Sequence, residues 1–327
     1  MGRFALALAA AIVVLGVCGA FHRTAPIIKP IDDWEWSYQG RPVQKVEFVA
    51  LADLAPLKSE LNYTEETWSS GQQDVPRLVL QQVPVRFAEV TVHEVPVEHK
   101  KRLFFQMVLP LVLIANEEME FEREAFLGLK ARIGDARIPG AGDLMELRRF
   151  AAKYDVPMDG DVVPVQQVLQ TLERRIDIVP PSLALAQAAI ESAWGTSRFA
   201  LEGNALFGQW TFGPKGMVPE EQRVEKGDYR VAAFRTPLHS VRSYLRNLNT
   251  HPAYREFRKH RASARSEGKP LSGKALSATL TRYSERGAAY VKEIRHLIAV
   301  NGLSALDRSK LADGTVYELV PVWRAAG

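Results

Sequence analysis

One carboxylate stands out in residues 180–213, PPSLALAQAAIESAWGTSRFALEGNALFGQWTFG. Glu191 interrupts an otherwise apolar helical pattern, and Trp194 and Gly195 follow at once. A carboxylate among apolar neighbours loses hydration, so its pKa rises and it holds a proton near neutral pH. That is what a general acid needs in order to protonate a poor leaving group such as a sugar oxygen. The competing structural reading is a helix-end acid paired with a nearby arginine such as Arg198, because acidic side chains are rarely buried alone.

The surrounding residues carry similar pairs of readings. Gln187 lies one turn before Glu191 on the same helix face. It either hydrogen-bonds the acid or a sugar, or is a satisfied polar core residue. A glycine–aromatic cluster follows: Gly203, Asn204, Phe207, Gly208 and Trp210. Large aromatics usually belong to cores. Phe207 is read that way, while Trp210 is equally a stacking platform for a sugar ring. Trp194 packs beneath Glu191. Asn204 contacts an acetamido group or caps the turn, and its loop position favours the turn.

The elements that must position these residues are mostly helices. Pro180-Pro181-Ser182 starts the acid-bearing helix, which is expected to run to Trp194 and stop at Gly195. Residues 196–212 read as a glycine-bearing loop and 213–236 as a small β-hairpin lobe. Helices are expected at 237–259, 272–283 and 287–300, with Gly302 capping the last, and Val316–Trp323 alternates like a strand. Upstream, a thick apolar run from Leu103 to Ile114 contains Gln106 and Pro110. Its dozen or so residues suit a core helix better than a membrane span, and Pro110 is expected to kink or restart it. Asp143–Tyr154 and Val165–Ile176 are amphipathic, the second with Val168, Leu169 and Leu172 inward.

Five segments follow from this pass: 1–23 a signal peptide or membrane anchor, 24–95 an extended and poorly packed spacer, 96–149 a helical brace, 150–306 the catalytic domain, and 307–327 a tail. In the first, Arg3 precedes an unbroken apolar run from Phe4 to Phe21, closed by His22 and Arg23. Its length lies between a secretory core and a short span, so the chain is expected to be routed to or through a membrane. Leu15–Cys18 faintly echoes a lipoprotein cleavage site; otherwise Cys18 is a small apolar residue of the anchor. A single cysteine excludes an internal disulfide framework. The seven histidines are scattered, with no HExxH or Cys/His spacing, so neither metal nor other cofactor is expected. A net charge of +4 is too small for this length to imply nucleic acid, but it suits an anionic wall polymer or membrane surface.

Ala186-Gln-Ala-Ala-Ile-Glu191-Ser-Ala-Trp-Gly195 and Gly203-Asn-Ala-Leu-Phe-Gly208 together resemble the bacterial endo-β-N-acetylglucosaminidases of glycoside hydrolase family 73, the autolysin and flagellar-peptidoglycanase group. Asn247-Leu-Asn-Thr-His-Pro-Ala-Tyr-Arg255 and Tyr283-Ser-Glu-Arg-Gly287 are similar to its Bax-type branch in Gram-negative bacteria. The likeness covers roughly residues 96–306. It implies a mainly α (α+β), lysozyme-like helical domain with a small β-hairpin lobe, preceded by a bracing helical segment. It also implies Glu191 as proton donor, Tyr283 as the site tyrosine, and a lobe carboxylate as base. The lobe offers Glu220, Glu221, Glu225 and Asp228; Glu225 lies nearest the family position, and Asp228 is taken as a substrate contact.

Glycoside hydrolysis usually needs two carboxylates, but a 2-acetamido sugar carries its own internal nucleophile. Both routes stay open. The expected activity is hydrolysis of the β-1,4 bond after N-acetylglucosamine in peptidoglycan, in the periplasm or cell envelope, with tethering to the inner membrane. The alternatives are a lytic transglycosylase and a non-catalytic wall-binding or morphogenesis module.

Overall fold

The computed structural model describes residues 38, 40–69, 71, 73–84, 97–135, 139–158, 164–211, 216–219 and 229–322. The anchor expected at 1–23 lies outside them. The chain begins with β1 (Val43–Phe48), α1 (Ala55–Glu60), α2 (Glu65–Ser69) and β2 (Asp74–Leu80). Three helices follow: α3 (Val97–Asp135), α4 (Ala141–Lys153) and α5 (Val165–Arg175). Then come α6 (Pro181–Glu191), α7 (Arg198–Gly203), β3 (Trp210–Thr211), β4 (Gly216–Met217) and β5 (Arg230–Ala232). The last elements are α8 (Pro237–Thr250), α9 (Arg255–Ser266), α10 (Gly273–Leu276), α11 (Ala288–Val300) and β6 (Lys310–Pro321). The fold is mainly α, as the sequence led us to expect, with two small sheets.

The backbone of the assembly is α3. Its apolar run is buried throughout: Phe104, Phe105, Met107, Val108, Leu109, Leu111, Val112 and Ile114 all face core. The helix runs through Pro110 without the restart that was one of the two outcomes expected there. Proline lacks the N–H that would satisfy the carbonyl four residues earlier. That carbonyl belongs to Gln106, and the buried Tyr63 hydroxyl donates to it at 3.0 Å. Among the described residues no helix is long and apolar enough to cross a membrane.

The reading of 24–95 as a poorly packed spacer is corrected over its described part. β1 and β2 flank β6 in a three-stranded parallel sheet of order β1-β6-β2, with Val43 opposite Val316 and Leu78 opposite Tyr317. Val75, Leu78, Val79 and Leu80 are all buried, and Phe48, Leu51, Leu54 and Tyr63 join the same core as α3 and α6. The physical reason for the miss is the strand type. β2 is buried on both faces and so has no solvent-facing side, while β1 is largely exposed and finds its partner, β6, near the other end of the sequence.

A second apolar cluster braces the distal half of α3. Met119, Phe126, Leu129 and Ile133 meet Leu147 and Ala151 of α4 and Val168, Leu169 and Leu172 of α5. The helix expected at 237–259 is two helices. His251 precedes Pro252 and is extended (ψ 135°), since an α conformation there clashes with the proline ring.

Candidate active site

Helix α6 is buried almost all round, from Pro181 to Ala189 and again at Glu191. A helix apolar on every face must sit in the middle of other elements, and α3, α10 and α11 surround this one. It ends at Glu191, earlier than expected, because three residues in a row take positive φ: Ala193 (50°), Trp194 (61°) and Gly195 (78°). Two of these carry a Cβ, and such strain at non-glycine residues persists only when the surroundings enforce it. Here Ser192 does so from the helix end. Its hydroxyl donates to the Ala188 carbonyl at 2.6 Å and accepts from the Gly195 N–H at 2.8 Å. The Trp194 ring is held edge-on against Phe104 and Phe105 of α3, with centroids 5.8 and 5.2 Å away.

The Glu191 side chain is only 6% exposed. Burial is the main cause that lifts its pKa from 4.5 to about 7; a hydrogen bond from Tyr290 and the charge of Arg286 oppose the rise. The Tyr290 hydroxyl donates to Glu191 Oε1 at 2.6 Å. Arg286 is engaged with Glu293, and Arg198 bonds the Val218 carbonyl at 2.7 Å and pairs with Glu202. The carboxyl is therefore held by a neutral hydroxyl and not by the arginine considered in the paired reading. A carboxyl that is about half protonated at neutral pH, hydrogen-bonded and partly dehydrated, is equipped to give a proton to a leaving oxygen.

Residues 166–303 match the family model described as glucosaminidase, mannosyl-glycoprotein endo-β-N-acetylglucosaminidase. The chain is also similar to the Bax protein of Escherichia coli (strain K12), with 32% identity over 191 residues that cover 58% of this chain and 66% of that protein. The two matches support reading residues 166–303 as a glucosaminidase-type domain similar to that of the Bax protein. The chain spans just under two thirds of the length of that relative, and no solved structure matches it.

Within this glucosaminidase domain, the residues singled out from the sequence separate into groups. Gln187 is fully buried. It reaches neither the acid nor open solvent, and instead bridges Tyr244 and Tyr290. Tyr283 lies beside the site. Its ring stacks parallel to Tyr290 at 5.6 Å and leans on Tyr254 at 5.7 Å. Phe207 is core, stacked on Tyr244 at 3.9 Å. Gly208 is buried with φ 54°, so it shapes the turn.

Asn204, open between a sugar contact and a turn cap in the sequence, is a structural knot. It takes the left-handed conformation that ends α7, accepts from the Val83 N–H at 2.9 Å and donates to the carbonyls of Phe234 and Arg235. Trp210 is half-buried on β3 and stacks on Tyr229 at 4.3 Å. The lobe is a three-stranded antiparallel sheet with β5 between β3 and β4. It docks on Gly203, where a Cβ would fall 2.6 Å from Met217 Sδ. Glu220, Glu221, Glu225 and Asp228 lie outside the described residues. Among the described residues no group of three or more metal-ligating side chains occurs.

Gly287, with φ 51°, turns the chain between Tyr283 and Tyr290, and the turn folds the two rings onto each other. Helix α9 carries five lysines and arginines, of which Arg255, Lys259 and Arg265 are exposed. Arg258 and Arg261 are buried and donate to backbone carbonyls of Leu248, His251, Arg174, Asp177 and Ile178. Burial alone would raise the Asp177 carboxyl, but Arg261, Arg265 and Arg123 outweigh it and hold it below its ordinary value. That cluster pins the segment leading into α6.

Proposed function

We propose that this protein cleaves the β-1,4 bond after N-acetylglucosamine in peptidoglycan, with Glu191 as the general acid. The observation that carries this reading is the buried Glu191 carboxyl, titrating near pH 7 and held by the Tyr290 hydroxyl. The family description, which names an endo-β-N-acetylglucosaminidase, supports the bond type. Trp210, half-buried beside Tyr229 on the lobe, is a fitting platform for a sugar ring. The second group is a lobe carboxylate, with Glu225 first in line, or the substrate's own acetamido oxygen. The Phe4–Phe21 run supports placement at the cell envelope, attached to or exported across the inner membrane.

One observation favours a second reading. The described carboxylate whose charge bears on Glu191 is Glu293, and that one is bound to Arg286. The absence of a second free acid beside Glu191 among the described residues also suits a lytic transglycosylase, in which the sugar's own hydroxyl replaces water. Mass spectrometry of products from purified peptidoglycan separates the readings. Hydrolysis yields reducing N-acetylglucosamine ends; transglycosylation yields anhydro-muramyl ends. Glu191→Gln, shown folded by circular dichroism, should lose cleavage by orders of magnitude while retaining binding. The wild-type rate should fall as pH rises through about 7, because the acid loses its proton. Near-normal cleavage by the folded variant refutes the assignment of the acid. Binding without cleavage by either protein makes a wall-binding module the better account.

A further inference from the structure

Three buried side chains behind Glu191 form a single line of hydrogen bonds whose direction is set at its far end. The Tyr244 hydroxyl donates to Gln187 Oε1 at 2.7 Å, Gln187 Nε2 donates to the Tyr290 oxygen at 3.0 Å, and Tyr290 donates to Glu191 Oε1 at 2.6 Å. Tyr244, Gln187 and Tyr290 are each at most 1% exposed. A tyrosine hydroxyl has one proton, and an amide nitrogen cannot accept. Tyr290 therefore cannot donate back to Gln187, and its proton must point at Glu191.

Turning the Gln187 amide over would reverse the line. The Tyr244 proton would then need another acceptor. Among the described residues Gln187 is the one partner of that hydroxyl, and a buried donor left without an acceptor is strongly disfavoured. Burial and the nearby Glu191 charge keep the Tyr290 and Tyr244 hydroxyls protonated well past their ordinary range, so neither is lost as a donor at working pH.

We infer that Tyr244, Gln187 and Tyr290 form a polarised chain that keeps Glu191 Oε1 an acceptor and thereby places the transferable proton on Oε2. This rests on the reading of Glu191 as the acid. Tyr244, which does not bond to Glu191, is a positioning residue for the proton donor. The line also favours the carboxylate that remains once the proton has left, since Oε1 keeps its donor throughout.

Other groups also act on Glu191. Arg286 and Glu293 do so from the turn before α11 and from α11 itself, while the Glu191 charge bears in turn on Tyr283 in that same turn and on Tyr254 in the segment after α8. Any test must therefore change the line without changing these charges, and Tyr244→Phe does so. It keeps the ring that stacks on Phe207 and removes the hydroxyl alone.

The test uses the full-length protein with two readouts: the titration of Glu191, followed by NMR with carboxyl-labelled glutamate and assigned by its loss in Glu191→Gln, and the pH profile of glycan cleavage. Tyr290→Phe should raise the Glu191 midpoint by about one pH unit, the worth of a hydrogen bond to a charged group. Tyr244→Phe should raise it by roughly half as much, because the freed amide turns over and takes the Tyr290 proton. The alkaline limb of kcat should move by the same amounts with KM unchanged. A packing role alone predicts lost stability with the midpoint and limb unmoved, and that result in Tyr244→Phe overturns the inference.

Should Tyr244→Phe fail to fold, infrared difference spectra decide the matter. With the proton on Oε2, the carbonyl of protonated Glu191 accepts from Tyr290, so its stretch should rise in frequency in Tyr290→Phe. An unshifted stretch overturns the inference. Wild-type protein that cleaves no glycan defeats the functional reading, while the titration and infrared arms still judge the chain itself.

Discussion

The burial that equips Glu191 for acid chemistry should destabilise the fold at high pH, by an amount the structure sets. In the folded protein the carboxyl titrates near pH 7; unfolded, it titrates near 4.5. Between those values the folded state holds a proton that the unfolded state has released. Stability therefore falls as pH rises through this window, and the loss is complete above about 7. The gap of two to three pH units, at about 1.4 kcal/mol per unit, amounts to about 3 kcal/mol. Glu191→Gln mimics the protonated form. Its Oε1 still accepts from Tyr290, and nothing titrates. Urea denaturation of both proteins at about pH 4 and about pH 8.5 should give nearly equal stabilities at the low value. At the high value the variant should be more stable by about 3 kcal/mol. All other titrating groups are common to both proteins and cancel in the difference. A difference that does not change with pH, or a variant less stable at the alkaline end, would refute the argument that dehydration of this carboxyl dominates the site.

Four further outcomes are expected. Tyr63→Phe leaves the Gln106 carbonyl opposite Pro110 without its donor, and should cost about 1–3 kcal/mol in urea denaturation; an unchanged midpoint would mean that the helix satisfies that carbonyl otherwise. Removing residues 1–22 should leave a folded, water-soluble protein. Removing residues 1–95 takes away β1 and β2 and should abolish cooperative thermal unfolding; a sharp transition in the shorter chain would show that the parallel sheet is dispensable. Glu225→Gln should lower turnover about 10²–10⁴-fold if the lobe supplies the base. If Glu225→Gln, Asp228→Asn and the paired Glu220/Glu221 change all stay within a few-fold, the acetamido group of the substrate takes that role.

Much of this could be read from the chain because it is encoded locally. The helical periods of 143–154 and 165–176 became α4 and α5 with Leu147, Val168, Leu169 and Leu172 inward. Glu191 announced itself as the lone charge in a helix apolar on all sides. What escaped was encoded across distance. Tyr290 lies 99 residues beyond the acid it binds, and no local pattern distinguishes it from a core tyrosine. That the helix runs on through Pro110 was not legible, because its compensating donor, Tyr63, lies in a segment that shows no sustained helical period. The turn role of Asn204 was legible from its loop position, but its three backbone partners, at Val83, Phe234 and Arg235, were not, because they come from two other parts of the chain.

The same long-range logic binds the chain ends to the chemistry. β6, near the C-terminus, lies between β1 and β2 from the N-terminal part. β2 and β6 pack on α3, and α3 packs on α6. The helix that carries Glu191 is thus wedged between the long helix and α11, and α11 supplies Tyr290. A proton donor needs a fixed distance between its carboxyl and its hydrogen-bond partner. In this fold that distance depends on α6 and α11 keeping their places against a core that both ends of the chain help to close. The segments flanking the glucosaminidase match are on that account part of the machinery that holds the acid, and not merely a tether and a tail.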